Sequence, residues 1–213
     1  MPKLLLPNYG QHITFLGATG SGKSVLACKM LEQYERYLAI DTQDSLDIKG
    51  KVIKNPASLK LQYKLQDRIK YTPQPDFISS GYFNRIFKEV LGSSTKRHPN
   101  PRIIYIDEIF HIGFGQSFPS WLPKSIATAR QRQLSFWIST QRPRCIPMPV
   151  LSEASKIYVF YLNKEDDVKY VSSFARTDKK LLEQSLYEQK DDYSFIEIDA
   201  RKGTWQKYPK LKL

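Results

Sequence analysis

The feature that most constrains the fold is a glycine-rich segment, GATGSGKS, which runs from Gly17 to Ser24. A short β-rich run, HITFL at 12–16, precedes it directly, and residues 24–37 follow with apolar side chains at helical spacing. The segment therefore predicts a strand, a tight turn and a helix in immediate succession. A second apolar run, YLAID at 37–41, completes a predicted β-α-β unit, which requires a parallel sheet.

The segment matches the pattern G-x-x-x-x-G-K-[ST], in which backbone N–H groups surround a phosphate at a helix N-terminus. A Gly-rich turn with a purely structural role is the alternative interpretation. In the functional one, Lys23 contacts the β- and γ-phosphates and Ser24 binds Mg²⁺. The predicted ATP-binding residues are Gly17, Ala18, Thr19, Gly20, Ser21, Gly22, Lys23 and Ser24.

A second candidate site lies at the end of the apolar run IIYID, residues 103–107, where two acids follow one another. An almost wholly apolar run is typical of a central parallel strand, and the carboxyl ends of such strands meet the phosphate site. We expect Asp107 to hold Mg²⁺ through water and Glu108 to act as general base towards the attacking water. The alternative is a pair of exposed acids that end a strand.

The run LSFWISTQ at 134–141 predicts another buried strand, beside the first two. Gln141 at its end is placed to sense the γ-phosphate or to orient water, with a solvated glutamine as the alternative. A predicted helix over 123–133 carries Arg130 and Arg132, and either is a candidate arginine finger across a subunit boundary. Exposed helix arginines are commonly just solvated, which is the competing interpretation.

The charge balance favours a polyanionic partner. Lys and Arg number 33 against 21 Asp and Glu, for a net charge of +12, and double-stranded DNA is the natural candidate. The segments that could contact DNA are 49–64, 94–102, the loop 111–121 with Phe114, Phe118 and Trp121, and Arg142 and Arg144, the last two facing either nucleotide or DNA. Solvated loops would explain the basic segments equally well.

Several other classes of protein are disfavoured. Cys28 and Cys145 are too few for a disulfide scaffold, and neither they nor His12, His98 and His111 show the spacing of a metal site. The apolar start of the chain is too short for a signal peptide or a membrane span. We therefore expect no transmembrane segment, no secretion and a reducing, cytosolic setting.

Four segments together resemble the FtsK/HerA superfamily of ring-forming DNA pumps: HITFLGATGSGKS, IIYIDEI, ARQRQLSFWISTQRP and KIYVFYL. The similarity extends over most of residues 10–175. Because the sequence shows no N-terminal barrel, membrane segments or winged-helix tail, the chain looks most like the genome-packaging ATPases of tailless dsDNA viruses with an internal membrane. One departure is that Gln131 to Gln133 stand where many members have a glycine, so the finger's register is open.

The resemblance implies an enzyme that hydrolyses ATP with Mg²⁺ and drives double-stranded DNA into a preformed capsid. It implies a homo-oligomeric ring, most simply a hexamer, with capsid-vertex or membrane proteins as further partners. The expected location is the host cytoplasm and the packaging vertex of the virion. Nucleotide roles fall on Gly17 to Ser24, Asp107, Glu108 and Gln141, and the finger role on Arg130 or Arg132.

The predicted fold is α/β, a RecA-like P-loop NTPase of the ASCE division, with a central, mostly parallel sheet flanked by helices. We expect residues 1–213 to form a single motor domain that ends in a β-hairpin, with strands at 193–199 and 204–209. The other predicted elements are strands at 68–73 and 156–162, helices at 81–92, near 163–174 and near 178–188, and a loop with short helical pieces over 43–66.

Three rival functions stay open. The first is a cellular or plasmid motor of the HerA or conjugation type, or a phage-assembly ATPase resembling zonula occludens toxin. The second is a nucleotide-switched scaffold with little turnover, against which Glu108 argues. The third is a small-molecule kinase, which is disfavoured because no arginine-rich lid segment stands out.

Overall fold

A computed structural model describes residues 5–62, 65–93, 102–113, 118–176, 178–189 and 193–210. Its strands form one nine-stranded sheet in the order β3-β4-β2-β5-β6-β1-β7-β8-β9. The strands are β1 His12–Leu16, β2 Tyr37–Asp41, β3 Lys51–Ile53, β4 Arg68–Tyr71, β5 Ile103–Asp107, β6 Ser135–Thr140, β7 Ala154–Val159, β8 Phe195–Asp199 and β9 Thr204–Tyr208.

The sheet is parallel from β3 to β7 and antiparallel at one end, where β8 and β9 form a terminal hairpin. The predicted α/β fold, with its mostly parallel sheet and C-terminal hairpin, is therefore confirmed. Strands β6 and β5 lie between β1 and β2, although β2 follows β1 along the chain. This insertion brings the acidic end of β5 and the end of β6 next to the glycine-rich turn after β1.

Helices cover both faces of the sheet, but unequally. Among the described residues, α1 is the one helix whose side chains join the core on its face, where it packs against Phe15, Tyr105 and Trp137. Side chains of α2 to α7 join the core on the other face. The helices are α1 Lys23–Leu31, α2 Pro56–Gln62, α3 Ser80–Ser93, α4 Trp121–Ala129, α5 Met148–Ser152, α6 Glu165–Ser172 and α7 Lys179–Tyr187.

Two segments differ from the sequence prediction. The predicted loop over 43–66 contains β3, a three-residue edge strand that pairs with β4, as well as α2. The predicted helix over 123–133 is a regular α-helix only to Ala129, and Arg130–Arg132 form a 3₁₀ turn. The turn ends at Gln133, whose φ of 55° lies in the left-handed region, and periodicity of apolar residues gives no sign of such a residue.

None of the described helices is long and apolar enough to cross a membrane.

One buried histidine makes the fold sensitive to acid. His12, at the start of β1, is 2% exposed, and its Nδ1 accepts a hydrogen bond of 2.9 Å from the backbone N–H of Phe136. Burial lowers the pKa of His12 from 6.5 to about 4, and the positive charge of Arg130 acts in the same direction. The unfolded chain therefore binds more protons than the folded chain between these two pH values, so the free energy of unfolding falls as the pH falls.

We expect the change His12→Asn to remove this part of the acid sensitivity, because the asparagine Oδ1 can accept the Phe136 N–H but does not titrate. In the unchanged protein, the neutral His12 contributes its full stability above pH 6.5. Protonation of the histidine then lowers the free energy of unfolding by about 3 kcal/mol by pH 4. Urea unfolding of both proteins at pH 7 and pH 4.5 measures it. An equal loss of stability in the two proteins between these pH values would contradict the assignment.

Candidate functional site

The carboxyl ends of β5, β6 and β1 lie side by side at one edge of the sheet. Residues that the sequence singled out lie at these ends: Asp107 is the last residue of β5 and Glu108 follows it, Gln141 follows β6, and the glycine-rich turn follows β1. Parallel strands bring such ends together because they all point the same way. The predicted site residues of these three segments therefore meet at one place.

Two glycines of the turn are required by their surroundings. A Cβ on Gly17 would lie 2.7 Å from the Cβ of Phe160, a contact that backbone and side chain cannot relieve without movement. Gly22 has a φ of 103° and forms the N-cap of α1, where a Cβ would lie 3.3 Å from the Phe160 ring. Phe160, which follows β7, thus supports the turn from below.

The turn opens onto the N-terminus of α1. The first N–H groups of a helix have no acceptor within the helix, and here no side chain caps them at Gly22. The Lys23 ammonium group donates to the carbonyl oxygen of Ala18 at 2.8 Å, so the side chain folds back over the turn. Amide donors, a helix dipole and an ammonium group therefore converge, which is the chemistry that a polyphosphate requires.

Ser24 and Asp107 are in direct contact. The Ser24 hydroxyl donates to Asp107 Oδ1 at 2.8 Å, although β6 separates the strands from which the two residues follow. Tyr105 donates to the same carboxylate oxygen at 2.6 Å, and its hydroxyl lies 2.9 Å from the Ser139 hydroxyl. The Asp107 carboxylate is therefore held by the buried Tyr105 hydroxyl within the sheet and by the Ser24 hydroxyl on α1.

The oxygen atoms of Ser24 and Asp107 fit a magnesium site. Mg²⁺ in nucleotide sites takes few protein ligands and completes its octahedron with phosphate oxygens and water. A hydroxyl and a carboxylate held together beside a phosphate-binding turn supply such a ligand pair. Among the described residues no group of three or more His, Cys, Asp or Glu side chains forms a metal site of the all-protein kind.

Glu108 is held in an unusual position directly after β5. It is 8% exposed and has a φ of 59°, which is rare for a residue with a side chain. Burial raises the pKa of Glu108 above its ordinary value, while the Phe110 N–H and the Lys23 charge act in the opposite direction. Burial likewise lowers the pKa of Lys23, against the carboxylates of Glu108 and Asp107. The two groups therefore share one partly desolvated space.

Gln141 connects the turn with the acidic strand end. Its Oε1 accepts a hydrogen bond of 2.9 Å from the Thr19 hydroxyl, and its side chain also lies within hydrogen-bonding reach of Glu108. It follows β6 as a bend residue, so the strand itself ends at Thr140. A side chain in this place contacts both the phosphate-binding turn and the candidate base.

Arg130 and Arg132 lie at the other edge of the sheet. They precede β6, whereas Gln141 and the phosphate-binding turn lie at its carboxyl end, about 16 Å further along the strand. The Arg130 guanidinium donates to the carbonyl oxygen of Glu153 at 3.3 Å. Neither arginine can therefore act on the phosphate site of its own chain.

The two arginines that follow Gln141 contact α6. Arg142 Nε lies 3.8 Å from the buried carboxylate of Asp167, and Arg144 Nη1 lies 2.9 Å from Asp166. Both arginines were candidates for contacts with nucleotide or DNA, and in the structure they contact acids on the first turn of α6. This interaction fixes the loop after the candidate sensor to α6.

The other candidate DNA contacts are only partly within the described residues. Most of 94–102 and Phe114 lie outside them, while Phe118 and Trp121 are half-buried against the core. The segment 49–64 has exposed lysines at Lys51 and Lys54 along the edge strand β3. Sequence reasoning missed Tyr105, although its spacing of two residues from Asp107 places both side chains on the same face of the strand.

No protein-family model matches the chain, and no curated protein matches it. Solved structures do. The genome-packaging NTPase B204 of Sulfolobus turreted icosahedral virus 2, in complex with ATPγS, superposes with a TM-score of 0.75 at 17% identity, over 97% of this chain and 100% of that one. The likeness is therefore one of fold along nearly the whole chain.

Two further structures share the fold at lower similarity. VirB4 of Thermoanaerobacter pseudethanolicus matches with a TM-score of 0.63 at 12% identity, over 95% of this chain and 89% of that one. The pCW3 conjugation coupling protein TcpA matches with a TM-score of 0.52 at 18% identity, over 89% of this chain and 57% of that one. The likeness to FtsK/HerA-type proteins seen in the sequence is thus confirmed at the level of the fold, that of a P-loop NTPase.

We expect the change Tyr105→Phe to weaken the magnesium dependence of nucleotide binding. The phenol holds the Asp107 carboxylate in place, and loss of such an outer partner weakens metal affinity by roughly tenfold. Titration of ATP by calorimetry, with Mg²⁺ and with EDTA, separates this effect from nucleotide affinity itself. The gain in affinity that Mg²⁺ provides should shrink, while the affinity in EDTA should stay unchanged.

Tyr71→Phe is the matched control, because the Tyr71 hydroxyl is buried in a nearby strand and has no hydrogen-bond partner among the described residues. It removes the same atom from the same kind of environment. An equal reduction of the Mg²⁺ effect in both variants would show that the contact between Tyr105 and Asp107 is not the cause.

Proposed function

We propose that the chain is an ATPase that translocates double-stranded DNA, and that its task is to pack a viral genome into a preformed capsid. The observation that carries the proposal is the convergence of Lys23, Ser24, Asp107 and Glu108 on one space at the N-terminus of α1. These residues provide phosphate binding, a metal ligand pair and a base within one site.

Each residue has a distinct part in the proposed hydrolysis. The amides of the turn and Lys23 bind the β- and γ-phosphates and offset their charge. Ser24 and Asp107 would hold Mg²⁺, which would supply a positive charge to the phosphate oxygens. Glu108 accepts the proton of the attacking water, and its raised pKa makes it a better proton acceptor than an ordinary carboxylate.

Gln141 is the proposed link between the γ-phosphate and the rest of the chain. Because it contacts Thr19 and Glu108, the loss of the γ-phosphate would change its surroundings directly. The loop that follows is attached to α6 through Arg142 and the buried Asp167. A movement at Gln141 would therefore be passed to a helix, which is what conversion of hydrolysis into motion needs.

A homo-oligomeric ring is part of the proposal. Arg130 and Arg132 lie far from the phosphate site of their own chain, so either could act as an arginine finger only on the site of a neighbouring subunit. We propose a hexamer, with the exposed basic residues available to DNA and with capsid-vertex or membrane proteins as further partners. Its place would be the host cytoplasm and the packaging vertex of the virion.

The fold comparison supports packaging over the other motor functions. The similarity to the packaging NTPase B204 extends over nearly the full length of both chains, with a TM-score of 0.75. VirB4 and the conjugation coupling protein TcpA share the fold with TM-scores of 0.63 and 0.52. Among the ATPases that share this fold, a packaging motor is therefore the function we favour.

We expect Glu108→Gln to abolish hydrolysis while ATP still binds. The amide cannot accept a proton, and loss of a general base lowers kcat by about 10²- to 10⁴-fold. ATPase rates with and without linear duplex DNA, together with ATP affinity, test this. The rate of the unchanged protein should rise with DNA, and that of the variant should not.

Glu35→Gln, an exposed change of the same kind, is the control and should leave all three quantities unchanged. A negligible rate in the unchanged protein that Glu108→Gln does not alter would favour the nucleotide-switched scaffold. Hydrolysis that is indifferent to DNA would argue against a translocase.

A mixing experiment tests the finger in trans. Arg130→Ala/Arg132→Ala subunits keep Glu108, and Glu108→Gln subunits keep both arginines, so each protein alone should be inactive. In randomly mixed rings about one interface in four combines an intact base with an intact finger, and about a quarter of the activity should return. If activity does not return, neither arginine completes a neighbour's site.

A further inference from the structure

A pocket lies next to the phosphate-binding turn, on the side away from the catalytic residues. It is a cleft open to solvent with a volume of about 110 Å³, and it is lined by Ala18 to Ser21, Tyr161, Gln189 and Tyr193. Strand β1 has β6 on one side and β7 on the other, and Tyr161 follows β7. The turn is therefore flanked by Glu108 and Gln141 on the β6 side and by this pocket on the β7 side.

This arrangement fixes the direction in which a bound nucleotide extends. The γ-phosphate must lie towards Glu108 and Gln141, since hydrolysis takes place there under the proposed function. The part of the nucleotide beyond the α-phosphate then leaves the turn towards β7 and β8. The pocket is the described cavity that continues the site in that direction.

Gln189 is the unusual residue of this pocket. It is 1% exposed, and its Nε2 donates to the carbonyl oxygen of Val159 at 3.3 Å, which anchors the amide group. Its Oε1 is buried and has no hydrogen-bond partner among the described residues. An unpaired buried acceptor costs free energy, so a ligand that donates to it gains affinity.

Tyr193 adds an aromatic wall to the same pocket. It has a φ of 53°, a strained value for a residue with a side chain, and is 57% exposed. A Cβ on Gly22 would lie 3.8 Å from its ring, so the tyrosine stands beside the N-terminus of α1. A base entering the pocket therefore meets a flat apolar surface, on which any base can stack.

We propose that Gln189 makes the site selective for adenine, by accepting a hydrogen bond from the exocyclic amino group of the base. The inference rests on the proposed function, because it concerns the same nucleotide. Adenine presents an N–H donor at its 6-position, whereas guanine presents a carbonyl oxygen. An amide oxygen that faces the 6-position therefore attracts adenine and repels guanine.

Ligand affinities of the unchanged protein test this without any mutation. Fluorescence displacement would compare ATP with GTP and with purine riboside triphosphate, which is ATP without its 6-amino group. We expect purine riboside triphosphate to bind about tenfold more weakly than ATP, as one lost hydrogen bond to a buried acceptor implies. GTP should bind more weakly still, because its 6-oxygen faces an acceptor.

The variant Gln189→Met keeps the size of the side chain and removes the acceptor. It should lower ATP affinity to that of purine riboside triphosphate and leave the affinity for the latter unchanged. Gln184→Met is the matched control, because Gln184 is an exposed glutamine on α7 whose amide bonds to Glu188. It should keep the full preference for ATP.

The outcomes separate this inference from the proposed function. Equal binding of all three triphosphates by the unchanged protein overturns adenine selectivity and leaves the ATPase proposal intact. A Gln189→Met protein that loses affinity for ATP and purine riboside triphosphate to the same extent shows a structural role, and also overturns it. Failure of every triphosphate to bind overturns both.

Discussion

The hydrogen bond between Ser24 and Asp107 depends on how the strands are ordered. With β6 inserted between β1 and β5, the two outer strands are about 10 Å apart. The first turn of α1 spans this gap, so its second residue reaches the carboxylate. Tyr105 and Ser139 support the Asp107 carboxylate from within the sheet. Contacts in the core therefore hold the carboxylate in place without a ligand.

The burial that gives the site its chemistry comes from the same arrangement. Lys23 and Glu108 are each 8% exposed, and the charge of each partly offsets the effect of burial on the pKa of the other. In such surroundings electrostatic interactions with a polyphosphate are stronger than in water. The fold thus places one lysine and two acids together in a largely buried site.

Most of the site was predictable because its signals are local. The turn and the strand ends carry glycines, a lysine and acids at spacings that rarely arise by chance, and apolar runs place the central strands. The sequence predicted Arg130 and Arg132 on a helix, but they lie on a 3₁₀ turn that ends at the left-handed Gln133. The spacing of apolar residues does not reveal such a turn. The edge strand β3 was missed because only Ile53 of its residues is buried.

Contacts between residues far apart in sequence could not be predicted in this way. Gln189 lines the same pocket as the glycine-rich turn because β7 pairs with β1 and the chain after α7 returns to the end of β7. The contacts of Arg142 and Arg144 with α6 depend on how the loop after β6 packs against that helix. The spacing of apolar residues does not predict such packing. For these residues the sequence shows which side chain is present but not which residues it contacts.

The position of Arg130 and Arg132 at the amino edge of the sheet also limits how copies of the chain can associate. A subunit that supplies either guanidinium must present that edge to the carboxyl edge of the next, so unlike surfaces meet at every contact. Such a heterologous contact cannot be satisfied by two copies related by a two-fold axis. In the proposed ring this contact would repeat from copy to copy until the circle closes, and each nucleotide would then lie between two copies.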